Sequence, residues 1–216
     1  MVSLSTQLKK RGKFMSNMQS WKQNVGSIIN YAERIFPEVE IVSRALSGEI
    51  VKSNYGQVAK RAKKLGSSLE AYGIKHGQNV GSLALNTYRN MEMYYGISGM
   101  GAVMHTINFR LHPEQVVYII NHAENRIIFL ETVFAPLLEA IQANCPTVEK
   151  YVLLCSKEEM PETTLKDAIS YEEFIDDGDE SYEWPELEED APCGLCYTSG
   201  TTGNPNKPVR SFVEVK

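Results

Sequence analysis

Long apolar runs are missing. No stretch of the 216-residue chain holds 18 consecutive apolar residues, about the length a membrane-spanning helix requires, so no transmembrane segment is expected. The opening residues, Met1 to Arg11, contain no apolar central segment, which argues against a secretory leader. Cysteine is scarce: four residues without close regular spacing exclude a disulfide-built scaffold and fit a reducing, cytoplasmic setting. Positive charge is not in excess. With 22 Lys and Arg against 27 Asp and Glu, the net charge is −5, which argues against a general nucleic-acid binder. Fifteen glycines and nine prolines are too few for a collagen-like or low-complexity chain. What is present is an ordinary globular mixture, 43% hydrophobic and 23% charged, on a chain somewhat longer than the roughly 150 residues of a typical domain. A chain of this size buries about 70% of its unfolded surface.

The charge is uneven. Eleven acids (Glu172, Glu173, Asp176, Asp177, Asp179, Glu180, Glu183, Glu186, Glu188, Glu189 and Asp190) and no base lie between Tyr171 and Asp190. That run carries −11 of the net −5, so the rest of the chain carries +6. Such blocks form solvated loops, and residues 171–190 are expected to be one. Asp176-Asp177-Gly178-Asp179 lacks the ligand spacing of a calcium loop. At the other end, Lys9, Lys10, Arg11 and Lys13 have no apolar partners with which to form a membrane-binding face, so residues 1–17 read as a flexible basic tail.

Between these ends, helical and strand patterns alternate. Ser27 to Phe36 reads as a helix with Ile28, Ala32, Ile35 and Phe36 on its apolar face, ended by Pro37. Glu40–Ser43 and Glu49–Lys52 read as short strands about a turn at Ser47-Gly48. Ser53 is a candidate cap for a helix in which Tyr55, Val58, Ala59, Ala62, Leu65, Leu69 and Tyr72 repeat at helical spacing, Lys60, Arg61, Lys63 and Lys64 face outward, and Gly73 ends the run. Strands are expected at 80–85, 103–107, 126–130, 151–155 and 194–197, and helices at 88–100, 113–123 and 134–143. Continuously apolar strands such as Ile127-Ile128-Phe129-Leu130 are those buried on both faces. The fold class is therefore α/β: a mainly parallel sheet with helices on both faces. In such sheets ligands bind at the carboxyl ends of the strands.

The segment Tyr197-Thr198-Ser199-Gly200-Thr201-Thr202-Gly203-Asn204-Pro205 follows the last apolar strand. Gly200 and Gly203 can take positive φ and let a ligand approach the backbone. Successive amides can then converge into an anion nest, with the hydroxyls of Thr198, Ser199, Thr201 and Thr202 as further donors. A plain solvated turn has the same composition; placement after a buried strand favours the phosphate loop. It is not the nucleotide-triphosphatase P-loop, because Asn204 follows Gly203 where a lysine is required. Nor do Gly99 and Gly101 complete a dinucleotide fingerprint, since Met104 stands at the third glycine position.

Tyr197 to Pro205 resembles the phosphate-loop signature of AMP-forming adenylating enzymes, the acyl-CoA synthetases and their relatives. A second stretch, Gly99 to Leu111 continuing into Tyr118-Ile119-Ile120-Asn121-His122-Ala123-Glu124, resembles the medium- and long-chain fatty-acid branch. The likeness runs from about Met18 to Pro205. It implies the fold above, as the N-terminal part of the large domain of adenylate-forming enzymes. It implies a fatty-acid–CoA ligase reaction: ATP and a fatty acid give an acyl-adenylate and pyrophosphate, then coenzyme A gives acyl-CoA and AMP. It implies ATP, Mg²⁺ and coenzyme A as cofactors, and allows a homodimer of the full-length protein. By resemblance Thr198, Ser199, Gly200, Thr201, Thr202 and Gly203 hold the β- and γ-phosphates of ATP.

The family pattern breaks after Pro205. Asn206 stands at the usual lysine position, Lys207 comes one residue late, and Pro208 restricts the backbone. Residues 18–206 are thus expected to be a partial adenylation domain and 207–216 a divergent tail, with the family's C-terminal catalytic domain absent and no catalytic residue assignable. An inactive fragment is expected, with the strand at 194–197 left as an exposed apolar edge.

Other constellations carry less. Cys193-Gly194-Leu195-Cys196 has CxxC spacing but falls in an expected strand, where alternation turns the two thiols to opposite faces; core packing is expected, with redox or zinc roles as lesser readings. His105, His112 and His122 are scattered, and His105 reads as a structural histidine more than a pocket residue. Ser199 lacks a nucleophile-elbow context. Met91, Met93, Met100, Met104, Tyr94 and Tyr95 read as core, or else as the wall of an acyl tunnel. The alternatives to a ligase fragment are a non-catalytic anion-binding or interaction module and a CxxC redox protein.

Overall fold

The computed structural model describes residues 22–197 and, for the backbone, 209–211. The basic tail 1–17 and the segment Thr198 to Gly203 lie outside the described residues.

Helix α1 (Val25–Ile35) leads into a two-stranded antiparallel ribbon, β1 (Glu40–Arg44) and β2 (Ile50–Asn54). Helix α2 (Tyr55–Tyr72) then precedes the main sheet, which is entered at β3 (Asn79–Leu83). The sheet continues with α3 (Tyr88–Gly99), β4 (Val103–Thr106), α4 (Pro113–His122), β5 (Ile127–Leu130), α5 (Ala135–Ile141), β6 (Lys150–Leu153), β7 (Ala168–Ser170), α6 (Tyr171–Asp176), β8 (Pro192–Cys196) and β9 (Val209–Ser211). The strand order is β7-β6-β5-β3-β4-β8-β9. The first six pair in parallel and β9 closes antiparallel against β8. The edge expected at 194–197 is therefore covered, by backbone from a stretch expected to be a divergent tail.

Alternation along the strands divides the core into two layers. Leu83, Ile128, Leu130, Tyr151 and Leu153 meet Val116, Ile119 and Ile120 of α4 and Leu138 of α5. Val80, Met104, Ile127, Phe129 and Val152 face the other way, onto Leu65 and Leu69 of α2, Met93 and Ile97 of α3, and Tyr171 and Ile175 of α6. Each fully buried aliphatic or aromatic side chain contributes about 1.5–3 kcal/mol, which is why these strands read as unbroken apolar runs.

Three local expectations change. The cap of α2 is Asn54, one residue later than Ser53; its Oδ1 accepts from Gln57 N at 2.8 Å. Gly73 does end that helix, in the left-handed region at φ 93°. Helix α1 turns its expected apolar stripe outward. Val25, Gly26 and Ile29 are buried, while Ile28, Ile35 and Phe36 are 39%, 47% and 47% exposed. The cause lies at Gly26, where an added Cβ would come within 2.9 Å of the Trp184 ring: the helix seats its smallest residue against the indole. Arg61, expected outside, pairs with Glu92 of α3 (Nε to Oε1, 2.8 Å) and with Glu172 of α6.

The acidic run is not a free loop. Ser170 caps α6 by accepting from Glu173 N, and Tyr171 and Ile175 are buried. Glu172 is bound by both Arg61 and Arg89. Farther on, the Trp184 ring fills notches left by Gly26, Gly66 and Gly99, in each of which an added Cβ would approach it to 2.9 Å. Its Nε1 donates to Asn30 Oδ1 at 3.1 Å. The acidic residues from Asp176 to Asp190 are exposed, but an indole and two arginine contacts tie the segment down, and composition alone does not register them.

Candidate active site

The connections after β3 and β4 leave the sheet on opposite faces, one into α3 and the other into α4. The carboxyl ends of these adjacent strands thus form the crevice where open parallel sheets bind ligands. A cleft of about 430 Å³ lies there. Ile41, Val42 and Ser43 of β1 form one wall, Asn86 and Thr87 the mouth above β3, Met91, Tyr94 and Tyr95 of α3 another wall, and Met104 and Thr106 of β4 the floor. The ribbon also braces the mouth: Ser43 Oγ, almost fully buried, accepts from Tyr88 N at 3.0 Å, the first amide of α3. The methionine and tyrosine group expected to be core is divided. Met93 and Met100 are core, Met104 belongs to the same core layer and also reaches the cleft floor, and Met91, Tyr94 and Tyr95 line the cleft. Flexible thioethers and amphipathic phenols suit an apolar ligand of variable shape.

Strand β8 borders this floor. Thr106 pairs with Cys196 in the parallel register, and Thr106 Oγ1 lies 2.9 Å from Cys196 Sγ. One residue farther on, Tyr197 ends the described strand region, immediately before Thr198, Ser199, Gly200, Thr201, Thr202 and Gly203. The structure thus brings the approach to the expected phosphate loop to the edge of the cleft, while the loop itself lies outside the described residues.

The cysteine expectation is corrected. Cys193 is half-buried and Cys196 exposed, so neither is a core residue. They lie on a strand, at a spacing that turns them to opposite faces. Burial pushes the Cys193 thiol up, opposite to the activation a redox thiol requires. Among the described residues no group of three or more His, Cys, Asp or Glu could hold a metal. Among the described residues no carboxylate lines the cleft, and its side-chain oxygens are neutral, among them those of Ser43, Asn86, Thr87, Asn90 and Thr106.

The histidines are structural in their contacts. His105 is fully buried on β4, with Nδ1 2.7 Å from Asn125 Oδ1, and does not line the cleft. His112 precedes α4, its amide donating to Gln115 Oε1. His122 lies 2.8 Å from the Tyr197 hydroxyl.

Beside the cleft, a smaller pocket of about 180 Å³ shares Thr87 and Tyr88 with it and is floored by Arg89, Glu131 and Cys155. Glu131, directly after β5, is 5% exposed. Burial raises its carboxyl above the usual range, against hydrogen bonds from Leu85 and Thr87 and the charge of Arg89. Sequence reading passed over Glu131, because nothing in its neighbours marks it as buried.

A parallel sheet with a half-apolar cleft at its switch point, and a glycine- and hydroxyl-rich segment leaving the adjoining strand, is the architecture of adenylate-forming enzymes, and residues 34–209 match the AMP-binding enzyme family. The chain belongs to that family. Among curated relatives it is 44% identical over 181 residues to the 3-methylmercaptopropionyl-CoA ligase of Ruegeria pomeroyi, covering 84% of this chain and 34% of the relative. It is 40% identical to the medium-chain-fatty-acid–CoA ligase of Ectopseudomonas oleovorans, covering 84% and 33%, and 37% identical to the long-chain-fatty-acid–CoA ligase of Thermus thermophilus, covering 92% and 35%. The chain thus spans about a third of the length of these relatives. In fold it resembles the anthranilate CoA ligase AuaEII solved with anthranoyl-AMP, with a TM-score of 0.77 at 24% identity over 90% of this chain and 36% of that one. A long-chain-fatty-acid-CoA ligase from Archaeoglobus fulgidus gives 0.75 at 19% identity over 90% and 38%.

Proposed function

We propose that residues 18–206 form the phosphate-loop-bearing part of the adenylation domain of a cytoplasmic acyl-CoA ligase. The full reaction belongs to a polypeptide of the relatives' length: a fatty-acid carboxylate attacks the α-phosphorus of ATP, pyrophosphate leaves, and the thiol of coenzyme A displaces AMP from the acyl-adenylate. In it, Thr198, Ser199, Gly200, Thr201, Thr202 and Gly203 hold the β- and γ-phosphates, where donors directed at the departing pyrophosphate stabilise its growing charge. The apolar wall of Met91, Tyr94, Tyr95 and Met104 receives part of the acyl chain. The observation that carries this reading is the contact of Thr106 with Cys196, which joins the cleft floor to the strand leading into the loop.

Alone, the 216-residue chain is expected to bind Mg·ATP or pyrophosphate without turning over. Calorimetric titration tests the binding, and Ser199→Ala should weaken it about tenfold through loss of one hydrogen bond to a charged group. Absence of any binding by the wild-type chain overturns the proposal. Pyrophosphate exchange with ATP and a fatty acid tests the second part, and exchange clearly above a no-enzyme control would show that the chain is catalytic by itself. The second reading, a non-catalytic anion-binding module, draws on the described lining of the cleft, which consists of apolar, hydroxyl and amide side chains. A reconstituted chain of the relatives' length that binds ATP but forms no acyl-adenylate would favour it.

A further inference from the structure

Tyr197 joins three elements. Its ring packs with Val103, Ala123 and Leu195. On one side it meets the imidazole of His105 on β4 (centroids 5.1 Å apart), and on the other that of His122 in the last turn of α4 (5.8 Å). His122 is itself held flat against Tyr118, with centroids 5.3 Å apart and planes 11° from parallel. Nδ1 of His122 lies 2.8 Å from the Tyr197 hydroxyl. Burial pushes the Tyr197 phenol up to about 12, so near neutral pH the hydroxyl keeps its proton and needs an acceptor. A neutral imidazole supplies one at Nδ1 when its proton is on Nε2.

We infer that His122 is a positioning residue: by accepting the Tyr197 hydroxyl at Nδ1, it fixes the carboxyl end of β8 against α4 and so sets the direction in which the chain enters the phosphate-binding segment. This rests on the phosphate-binding reading above. The physical reason is preorganisation. A nest of amides grips an anion only if the amides already converge, and every degree of freedom left at its base is lost on binding. His122 is exposed, so its hydrogen bond contributes little to global stability while constraining the one residue that leads out of the strand.

The test uses the full 216-residue chain, with Mg·pyrophosphate as the probe. Tyr197→Phe removes only the hydroxyl. His122→Ala removes the acceptor. His122→Asn returns an acceptor oxygen close to the place of Nδ1. Calorimetry should show pyrophosphate binding weakened about three- to tenfold in Tyr197→Phe and His122→Ala, the value of one ordinary hydrogen bond. His122→Asn should restore it to within about twofold, and melting temperatures should move by less than about 2 °C. Nitrogen-15 NMR should find His122 as the Nε2–H tautomer in the wild type and as a mixture in Tyr197→Phe. Wild-type binding matched by Tyr197→Phe and His122→Ala overturns this inference alone, as does an Nδ1–H tautomer or a failure of His122→Asn to restore affinity. A wild-type chain that binds no pyrophosphate overturns both this inference and the reading beneath it.

Discussion

The two faces of the sheet are held by different chemistry. Under α4 and α5 the contacts are mainly apolar, Leu83, Ile128, Leu130 and Leu153 against Val116, Ile119, Ile120 and Leu138, with the buried pair His105 and Asn125 as a local polar exception. Under α2, α3 and α6 an apolar layer is joined to a buried polar network. Glu92, with no exposed surface, accepts from Arg61 Nε at 2.8 Å and from the Tyr171 hydroxyl at 3.0 Å. Glu172 accepts from Arg61 and Arg89, and Arg89 also donates to the Leu154 carbonyl. Apolar contacts tolerate many partners, whereas a buried charge tolerates very few. The first face is therefore specified by pattern and the second by particular long-range pairs.

The comparison can be broken at its most expensive point. Removing the charged partner of buried Glu92, as Arg61→Ala, is expected to cost about 3–5 kcal/mol in urea unfolding, because the Glu92 carboxylate is left buried with only the Tyr171 hydroxyl; Glu92→Ala leaves Arg61 paired with Glu172 and should cost less. The double variant Arg61→Met/Glu92→Leu should recover most of the Arg61→Ala loss; if it is as unstable as Arg61→Ala, the network does more than neutralise its own charges. Trp184→Ala comes next. It empties three glycine notches but removes a half-exposed ring, so about 2–3 kcal/mol is expected, below the 3–5 kcal/mol of a fully buried tryptophan.

Acid titration sharpens the contrast within the network. Burial pushes the Glu172 carboxyl up, but the hydrogen bonds and charges of Arg61 and Arg89 outweigh it and hold it below the ordinary 4.5. Its stabilisation is present above pH 4.5 and is lost as pH falls through the native value, so the wild type should lose stability relative to Glu172→Gln on acidification. Glu92 has the opposite sign. Burial raises its carboxyl above 4.5, against Arg61 and Tyr171, and stability should fall as pH rises from 4.5 through the native value, relative to Glu92→Gln. Parallel pH profiles for the two variants would refute the assignment. The smallest effect belongs to the ribbon: Lys52→Ala breaks a 3.0 Å contact with Glu40 between side chains 65% and 52% exposed, and should change stability by no more than about 0.5 kcal/mol.

The same contrast explains what the sequence made legible. Strand positions, α/β alternation and the parallel sheet follow from Ile127-Ile128-Phe129-Leu130 and its counterparts, because burial on both faces leaves a pattern in one continuous stretch. The orientation of α1 is not legible in its own apolar spacing, because the helix is seated by what it meets, here an indole about 160 residues away in the chain. The burial of Arg61 is not legible in its own helix, because its partners, Glu92 and Glu172, are 31 and 111 residues distant. At the candidate site, the glycine and hydroxyl signature was visible as a motif, and Met91, Tyr94, Tyr95 and Met104 as a group. That Ser43 and Thr106 share a cleft with them was not, because only the ribbon and the β4–β8 pairing bring them there.

The strand order also carries a consequence for synthesis. Thr106 and Cys196 are neighbours in the sheet but 90 residues apart in the chain. During translation at about 5–20 residues per second, one margin of β4 waits roughly 5–20 s for its partner. Over that interval a row of backbone donors and acceptors is open to any passing extended chain, so the hazard of misassociation in the nascent protein is concentrated on the strand that later floors the cleft.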